Sequence, residues 1–177
     1  APAGAPLLLA EAAVRCPEWE FHLPLARVRP ERVLELIRRH GALPEAARAH
    51  LPQLRDAAPG GGFLRGFVDL LAGDGTRWWV LDWKSNHLGD RADDYTGDRL
   101  WPAMAEHGYL VQALLYLLAL HRFLRHRLGA AYAYERHVGG AAWIFLRGVA
   151  DGQGVWTWRP PLALVEALDA ELLGERP

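Results

Sequence analysis

Gly66 to Asn86 reads G-F-V-D-L-L-A-G-D-G-T-R-W-W-V-L-D-W-K-S-N, with strand-forming runs on either side of Gly73-Asp74-Gly75. An Asp-Gly pair between such runs reverses a chain into a hairpin, so the stretch predicts two antiparallel strands. Side chains alternate faces along a strand, which puts Asp82 and Lys84 on one face and Trp83 on the other. Folding about the turn brings Asp69 to within about a residue or two of lying opposite Asp82, because antiparallel partners sit about 5 Å apart. Two acids and a lysine therefore converge.

Two ionised carboxylates in a half-buried site repel each other, and one protonates unless a cation neutralises them. Oxygen-only ligation suits Mg²⁺, Mn²⁺ or Ca²⁺ rather than zinc. Mg²⁺ in particular takes one or two carboxylates and leaves the rest of its shell to water and substrate phosphate. An ammonium beside it, here Lys84, can orient a water or stabilise charge on phosphorus. The pattern suits phosphodiester hydrolysis; the alternative is that the hairpin charges form an ordinary surface ion pair.

Gly66-x-x-Asp69, Asp82-Trp83-Lys84 and Gln112-x-x-x-Tyr116, in that order, resemble the G-x-x-D, (D/E)-x-K and Q-x-x-x-Y series of the RecB-type PD-(D/E)XK nucleases. The flanking text LDWKSNHLGD, the helix YLVQALLYLLALHRFLRHR and GGAAWIFLRGV are similar to the C-terminal nuclease domains of bacterial RecB subunits, from about Trp19 onward. The resemblance implies a restriction-endonuclease-like α/β core with a central mixed sheet flanked by helices. It also implies an Mg²⁺-dependent exodeoxyribonuclease, with Mn²⁺ or Ca²⁺ able to occupy the same site. In that reading Asp69, Asp82 and the carbonyl of Trp83 hold the metal, Lys84 positions the attacking water, and Gln112 and Tyr116 orient the scissile strand. In-line attack would leave a 3′-hydroxyl and a 5′-phosphate. The implied substrate is single-stranded DNA fed from a helicase during double-strand break repair and recombination. The implied partners are the rest of the RecB chain, RecC, RecD and RecA.

The family also carries a histidine ligand on a helix ahead of the first strand. None of the eight histidines here precedes His22, so that ligand is not placed, the matching helix preceding residue 1 or being cut by it; His22, on a strand, and His87, in a loop, are the substitutes within the chain. Glu20 matches the acid of the family's W-E-F strand or is an ordinary surface-strand residue. The missing histidine leaves open a second class of function, a catalytically impaired module that docks on partner subunits or recombinase.

Composition bounds these readings. A chain of 177 residues, about half of them hydrophobic and eight of them Trp, is expected to form one domain, 1–177, around a single core. Twenty Lys and Arg against 21 Asp and Glu leave a formal charge of −1, so no global basic field draws the chain to DNA and any grip on it is local. The single cysteine, Cys16, excludes an intrachain disulfide and fits a reducing, cytoplasmic setting. No run approaches the roughly 18 apolar residues of a membrane helix, Leu110 to Leu120 being interrupted by Gln112. The opening A-P-A-G-A-P-L-L-L-A lacks a basic stretch and a Met, which is read as the start of a fragment of a longer polypeptide.

Around the hairpin, a helix is expected over Leu7 to Arg15, within a stretch 1–17 taken as the remnant of an upstream helix. A strand follows over Trp19 to Val28, broken at Pro24. Pro30 and Glu31 open a helix that Gly41 stops, with Val33, Leu34, Leu36 and Ile37 on one stripe. Residues 42–62 read as a short helix and a loop, and Asn86 to Gly97, with Asp90, Asp93 and Asp94, as a solvated acidic loop. Two helices are expected over Asp98 to His107 and Gly108 to Arg127. On the longer one Tyr109, Gln112 and Tyr116 share a face, where by spacing alone Gln112 and Tyr116 could equally be core residues capping backbone groups. Arg122, Arg125 and Arg127 at its end either complement the helix dipole or meet phosphate. Strands over Ala141 to Arg147 and Val155 to Trp158, and a helix from Pro161 to Leu173, complete the mixed α/β pattern.

Overall fold

The computed structural model describes residues 9–51 and 60–173. Five strands, β1 (Val14–Val28), β2 (Gly60–Gly73), β3 (Trp78–Lys84), β4 (Val138–Phe145) and β5 (Val155–Trp158), form one sheet in that order. β1, β2 and β3 run antiparallel in succession, β3 and β4 pair in parallel, and β5 returns antiparallel to β4. The sheet is mixed, as expected. Among the described residues seven helices flank it: α1 (Pro30–His40), α2 (Glu45–Ala49), α3 (Gly97–Glu106), α4 (Tyr109–Leu128), α5 (Tyr134–His137), α6 (Leu146–Val149) and α7 (Leu162–Leu173).

Local chemistry accounts for most of these boundaries. Asp74 closes the β2–β3 turn by accepting the amides of Thr76 at 2.9 Å and Arg77 at 2.7 Å, while Gly75 takes a φ of 98° that a side chain would resist. α1 begins with Pro30, has Glu31 in its first turn, and ends where Gly41 donates to the Ile37 carbonyl at 2.9 Å. Gly108, with φ 72°, breaks the path between α3 and α4, whose axes differ by 89°. Among the described residues no single helix is long and apolar enough to cross a membrane.

One face of the sheet carries the main core. Phe21, Leu23, Val68, Val80, Trp143 and Trp156 pack there against Leu34 and Ile37 of α1, Leu114, Leu117 and Leu118 of α4, and Leu164 and Leu168 of α7. Each fully buried side chain of this size contributes about 1.5–3 kcal/mol. α4 is buried around much of its circumference, from Leu110 to Leu124, so it is the central helix of this layer and not an amphipathic cover. The opposite face buries a small cluster, Ala72, Leu81 and Ile144, under Leu9 and Ala12.

Four expectations are corrected. The helix over Leu7 to Arg15 does not form in its described part: Leu9–Glu11 is a 3₁₀ turn, and Val14 and Arg15 already pair with Gly73 and Ala72. Residues 1–8 of the supposed helix remnant lie outside the described residues. Pro24 does not break the strand, because β1 is an edge strand, where a missing N–H is tolerated, and Pro24 pairs with Phe63. Gly60 to Gly62 belong to β2 and not to the preceding loop, whose residues 52–59 also lie outside the described set. Arg147 falls in α6, β4 having begun three residues earlier than expected at Val138.

Candidate active site

β3 presents its residues by strict alternation. Val80 and Asp82 point into the helical core, Leu81 into the opposite cluster, and Trp83 stands 39 % exposed on that opposite side. Asp82 is 4 % exposed. The β2–β3 ladder runs through Leu70↔Leu81 and, continued by one residue, sets Asp69 across from Asp82. The backbone ladder ends there. Asp69 Oδ2 instead accepts the Trp83 amide at 2.9 Å, so a carboxylate takes the place of the next backbone acceptor.

α4 supplies the other wall. Lys84 Nζ lies 2.5 Å from Asp82 Oδ1 and donates to Gln112 Oε1 at 3.1 Å. Gln112 Nε2 in turn donates to the Tyr116 hydroxyl at 2.9 Å, the two residues being one turn apart on the helix. The structure thus joins Asp82, Lys84, Gln112 and Tyr116 in one continuous network, with Asp69 beside it. Two further side chains enter that the sequence reading did not assign to the site. The Tyr109 ring centroid is 4.1 Å from Lys84 Nζ, and the Tyr109 hydroxyl donates to Asn86 Oδ1 at 3.1 Å. Tyr109 falls three residues before Gln112 on one helix face, the available signal for its presence here.

The site is short of positive charge. Burial pushes the Asp82 carboxyl above the usual range, the hydrogen bond and charge of Lys84 oppose that, and the negative charge of Asp69 adds to the upward push. Burial, then the charge of Asp82, raises the Tyr116 hydroxyl to about 12, so it stays protonated near neutral pH. Gly66 serves this arrangement by packing: a Cβ there would run into the Phe21 ring of β1. That ring meets Tyr116 edge-on at 5.5 Å, so the glycine of the G-x-x-D series lets Phe21 seat Tyr116 beside Asp82.

Other candidates are engaged elsewhere. Glu20 is exposed and binds Arg65 at 2.6 Å and His22 at 3.0 Å, the Arg65 hydrogen bond holding its carboxyl below the usual range. His87 lies 2.9 Å from Asp90 in the loop after β3. Asp94 accepts the Arg91 amide at 3.1 Å and Arg99 at 2.9 Å, so this acid caps its own loop. Arg122 and Arg125 are bound to Asp169 of α7, a partner neither sequence alternative foresaw. Among the described residues no set of three or more His, Cys, Asp and Glu side chains gathers as metal ligands. The carboxylates of Asp69 and Asp82 are oxygen donors, a chemistry that would suit a hard divalent cation better than zinc.

The PD-(D/E)XK nuclease superfamily matches the chain over residues 6–169. The chain is 39 % identical over 192 residues to the RecBCD enzyme subunit RecB of Mycobacterium tuberculosis, an alignment covering 94 % of this chain and 18 % of that protein. It is 40 % identical over 162 residues to RecB of Escherichia coli strain K12, covering 89 % of this chain and 13 % of that protein. With RecB of Haemophilus influenzae it shares 38 % identity over 111 residues, 61 % of this chain and 9 % of the relative. The chain therefore spans only a minor part of the length of these relatives.

Proposed function

The chain belongs to the PD-(D/E)XK nuclease superfamily, and on that premise we propose that it is a metal-dependent deoxyribonuclease domain, the nuclease part of a RecBCD-type helicase–nuclease. The five-stranded mixed sheet with its flanking helices is the restriction-endonuclease-like α/β core of that superfamily. The observation that carries the reading is the buried contact of Asp82 with Lys84, facing Asp69 across the hairpin and held from α4 by Gln112.

Asp69, Asp82 and the Trp83 carbonyl are the groups that would hold a divalent cation, Mg²⁺ by preference with Mn²⁺ or Ca²⁺ as substitutes. Such an ion supplies charge neutralisation at phosphate and a more acidic water. The rest falls to the side chains of this chain. Lys84, a compact point charge, orients the attacking water and offsets negative charge developing on the phosphorus centre. Gln112 fixes Lys84 through its carbonyl and Tyr116 through its amide. Tyr116, still protonated at neutral pH, turns its O–H toward Asp82 and offers it to a phosphate oxygen once a cation takes that carboxylate. The substrate is single-stranded DNA, hydrolysed exonucleolytically in double-strand break repair and recombination; the partners are the rest of RecB, RecC and RecD, with RecA as a further one. A cytoplasmic setting accords with the single cysteine.

A second reading, an interaction module that no longer cuts, draws on the lack of a third side-chain ligand among the described residues. It leaves unexplained why two acids and a lysine are aligned in a largely dry site. Cleavage of a labelled single-stranded DNA by this chain with Mg²⁺, beside Lys84→Ala, separates the two. Cutting that vanishes with Lys84 supports the enzyme; no cutting by either protein, with partner binding retained, supports the module. Independently, millimolar Mg²⁺ or Ca²⁺ should raise the melting temperature of the wild type but not of Asp82→Asn, and equal shifts in both would remove the site.

A further inference from the structure

Lys84 is the only lysine in the chain; the other 19 of the 20 Lys and Arg residues are arginine. An ammonium has three N–H bonds to place. Asp82 Oδ1 takes one at 2.5 Å and Gln112 Oε1 another at 3.1 Å. The remaining side faces the Tyr109 ring, with its centroid 4.1 Å away, inside cation–π range, and the Trp143 ring lies at 5.9 Å. The Lys84 side chain is left 11 % exposed. Tyr109 is itself anchored at both ends. Its backbone opens α4 directly after the left-handed Gly108, and its hydroxyl donates to Asn86, two residues beyond Lys84.

We propose that Tyr109, held by Asn86, is a positioning residue for Lys84: its aromatic face keeps the ammonium on the reacting side of the site when Asp82 gives its charge to another partner. The proposal rests on the nuclease reading above. If Asp82 and Gln112 were the sole tethers, loss of the carboxylate would leave a four-carbon stem holding one neutral hydrogen bond, free to swing away. The ring attracts the cation without offering a lone pair that competes with water or phosphate for its N–H bonds. It also explains why lysine persists in a chain otherwise built with arginine. A planar guanidinium would stack flat on the ring and fork toward both acids, while the compact ammonium can be held on one side and present an N–H on the other.

The single lysine makes the test direct. In protein grown with ¹³C-lysine the side-chain ε signal is unique, and a ring 4.1 Å from Nζ displaces it by ring current. Tyr109→Leu should move that signal toward the position of an unstructured lysine, and Tyr109→Phe, which keeps the ring, should restore most of it. In cleavage of single-stranded DNA with Mg²⁺, Tyr109→Leu should lower kcat roughly tenfold to a hundredfold at little change in KM, with Tyr109→Phe near wild type. A lysine signal unmoved in a folded Tyr109→Leu, or full kcat in that variant, overturns the proposal. Should Tyr109→Leu not fold, Asn86→Ala is read the same way, and a signal unmoved there counts against the anchor. If the wild type cuts no DNA the nuclease reading fails, and the lysine signal still reports whether the clamp exists.

Discussion

α4 carries two half-buried charge networks, one toward each end, and they differ in how their charges balance. Toward the start, Asp69 and Asp82 face the single ammonium of Lys84, with Gln112 and Tyr116 as neutral bridges. Toward the end, Asp169 alone is held by Arg122 and Arg125, with His121 between Arg125 and the Tyr132 hydroxyl. The second network sets two guanidiniums against one acid and ties α7 to α4, with one Arg122 nitrogen buried and unpartnered. The first has an acid too many. A buried carboxylate excess is unfavourable for the fold by itself and becomes sensible where a cation is to be bound. The sign of the residual charge, more than the presence of ion pairs, distinguishes the proposed site from the brace.

The sharpest way to break this contrast is the same kind of exchange at both ends. Lys84→Arg keeps the charge and loses the point-like geometry; cleavage of single-stranded DNA should fall roughly a hundredfold, while Arg122→Lys should leave cleavage per folded molecule unchanged. Comparable losses in both would erase the distinction. Next in size, Arg122→Ala should lower stability by about 2 kcal/mol in urea unfolding, less than a fully buried pair because half-exposed Arg125 still holds Asp169. Its activity should again follow the folded fraction. Tyr116→Phe removes one hydroxyl from the first network and should slow cleavage roughly tenfold with a smaller change in stability, about 1 kcal/mol.

The smallest effect is in pH dependence, and it should run in opposite directions at the two ends. Burial, then the charges of Arg125 and Arg122, lowers the His121 imidazole below its ordinary 6.5. Its contribution to stability is therefore present above pH 6.5 and is lost as pH falls through the lowered value; His121→Gln should flatten the acid arm of a stability–pH curve. Asp82 is raised above 3.8, so its contribution is present below that pH and lost as pH rises through the raised value. Without divalent cation, Asp82→Asn should flatten that rising-pH loss. Curves with the same slope in each variant as in the wild type would show that neither group senses its network as described.

Much of the acid-rich end was legible beforehand because its determinants are local. The turn at Asp74-Gly75 sets the hairpin, the two-residue period puts Asp82 and Lys84 on one face, and the helical period aligns Tyr109, Gln112 and Tyr116. The bracing end was not legible, since Arg122 and Asp169 are 47 residues apart and nothing in either neighbourhood names the other. The extent of β1 was misjudged for the same reason. Val14 and Arg15 are strand because β2 lies beside them, and Pro24 is tolerated because β1 is the outer strand of the sheet among the described residues.

From the chain alone came the chemistry of the site: two acids and one lysine on a hairpin, followed by a helix with a glutamine and a tyrosine, all set by periodicities that act within a few residues. Only the packed structure decided that Gly66 admits the Phe21 ring to seat Tyr116, that Tyr109 closes on Lys84, and that the arginines at the end of α4 brace α7. Those choices depend on which surfaces meet when sheet and helices bury their apolar faces together, and contact between residues distant in sequence is a property of the whole core.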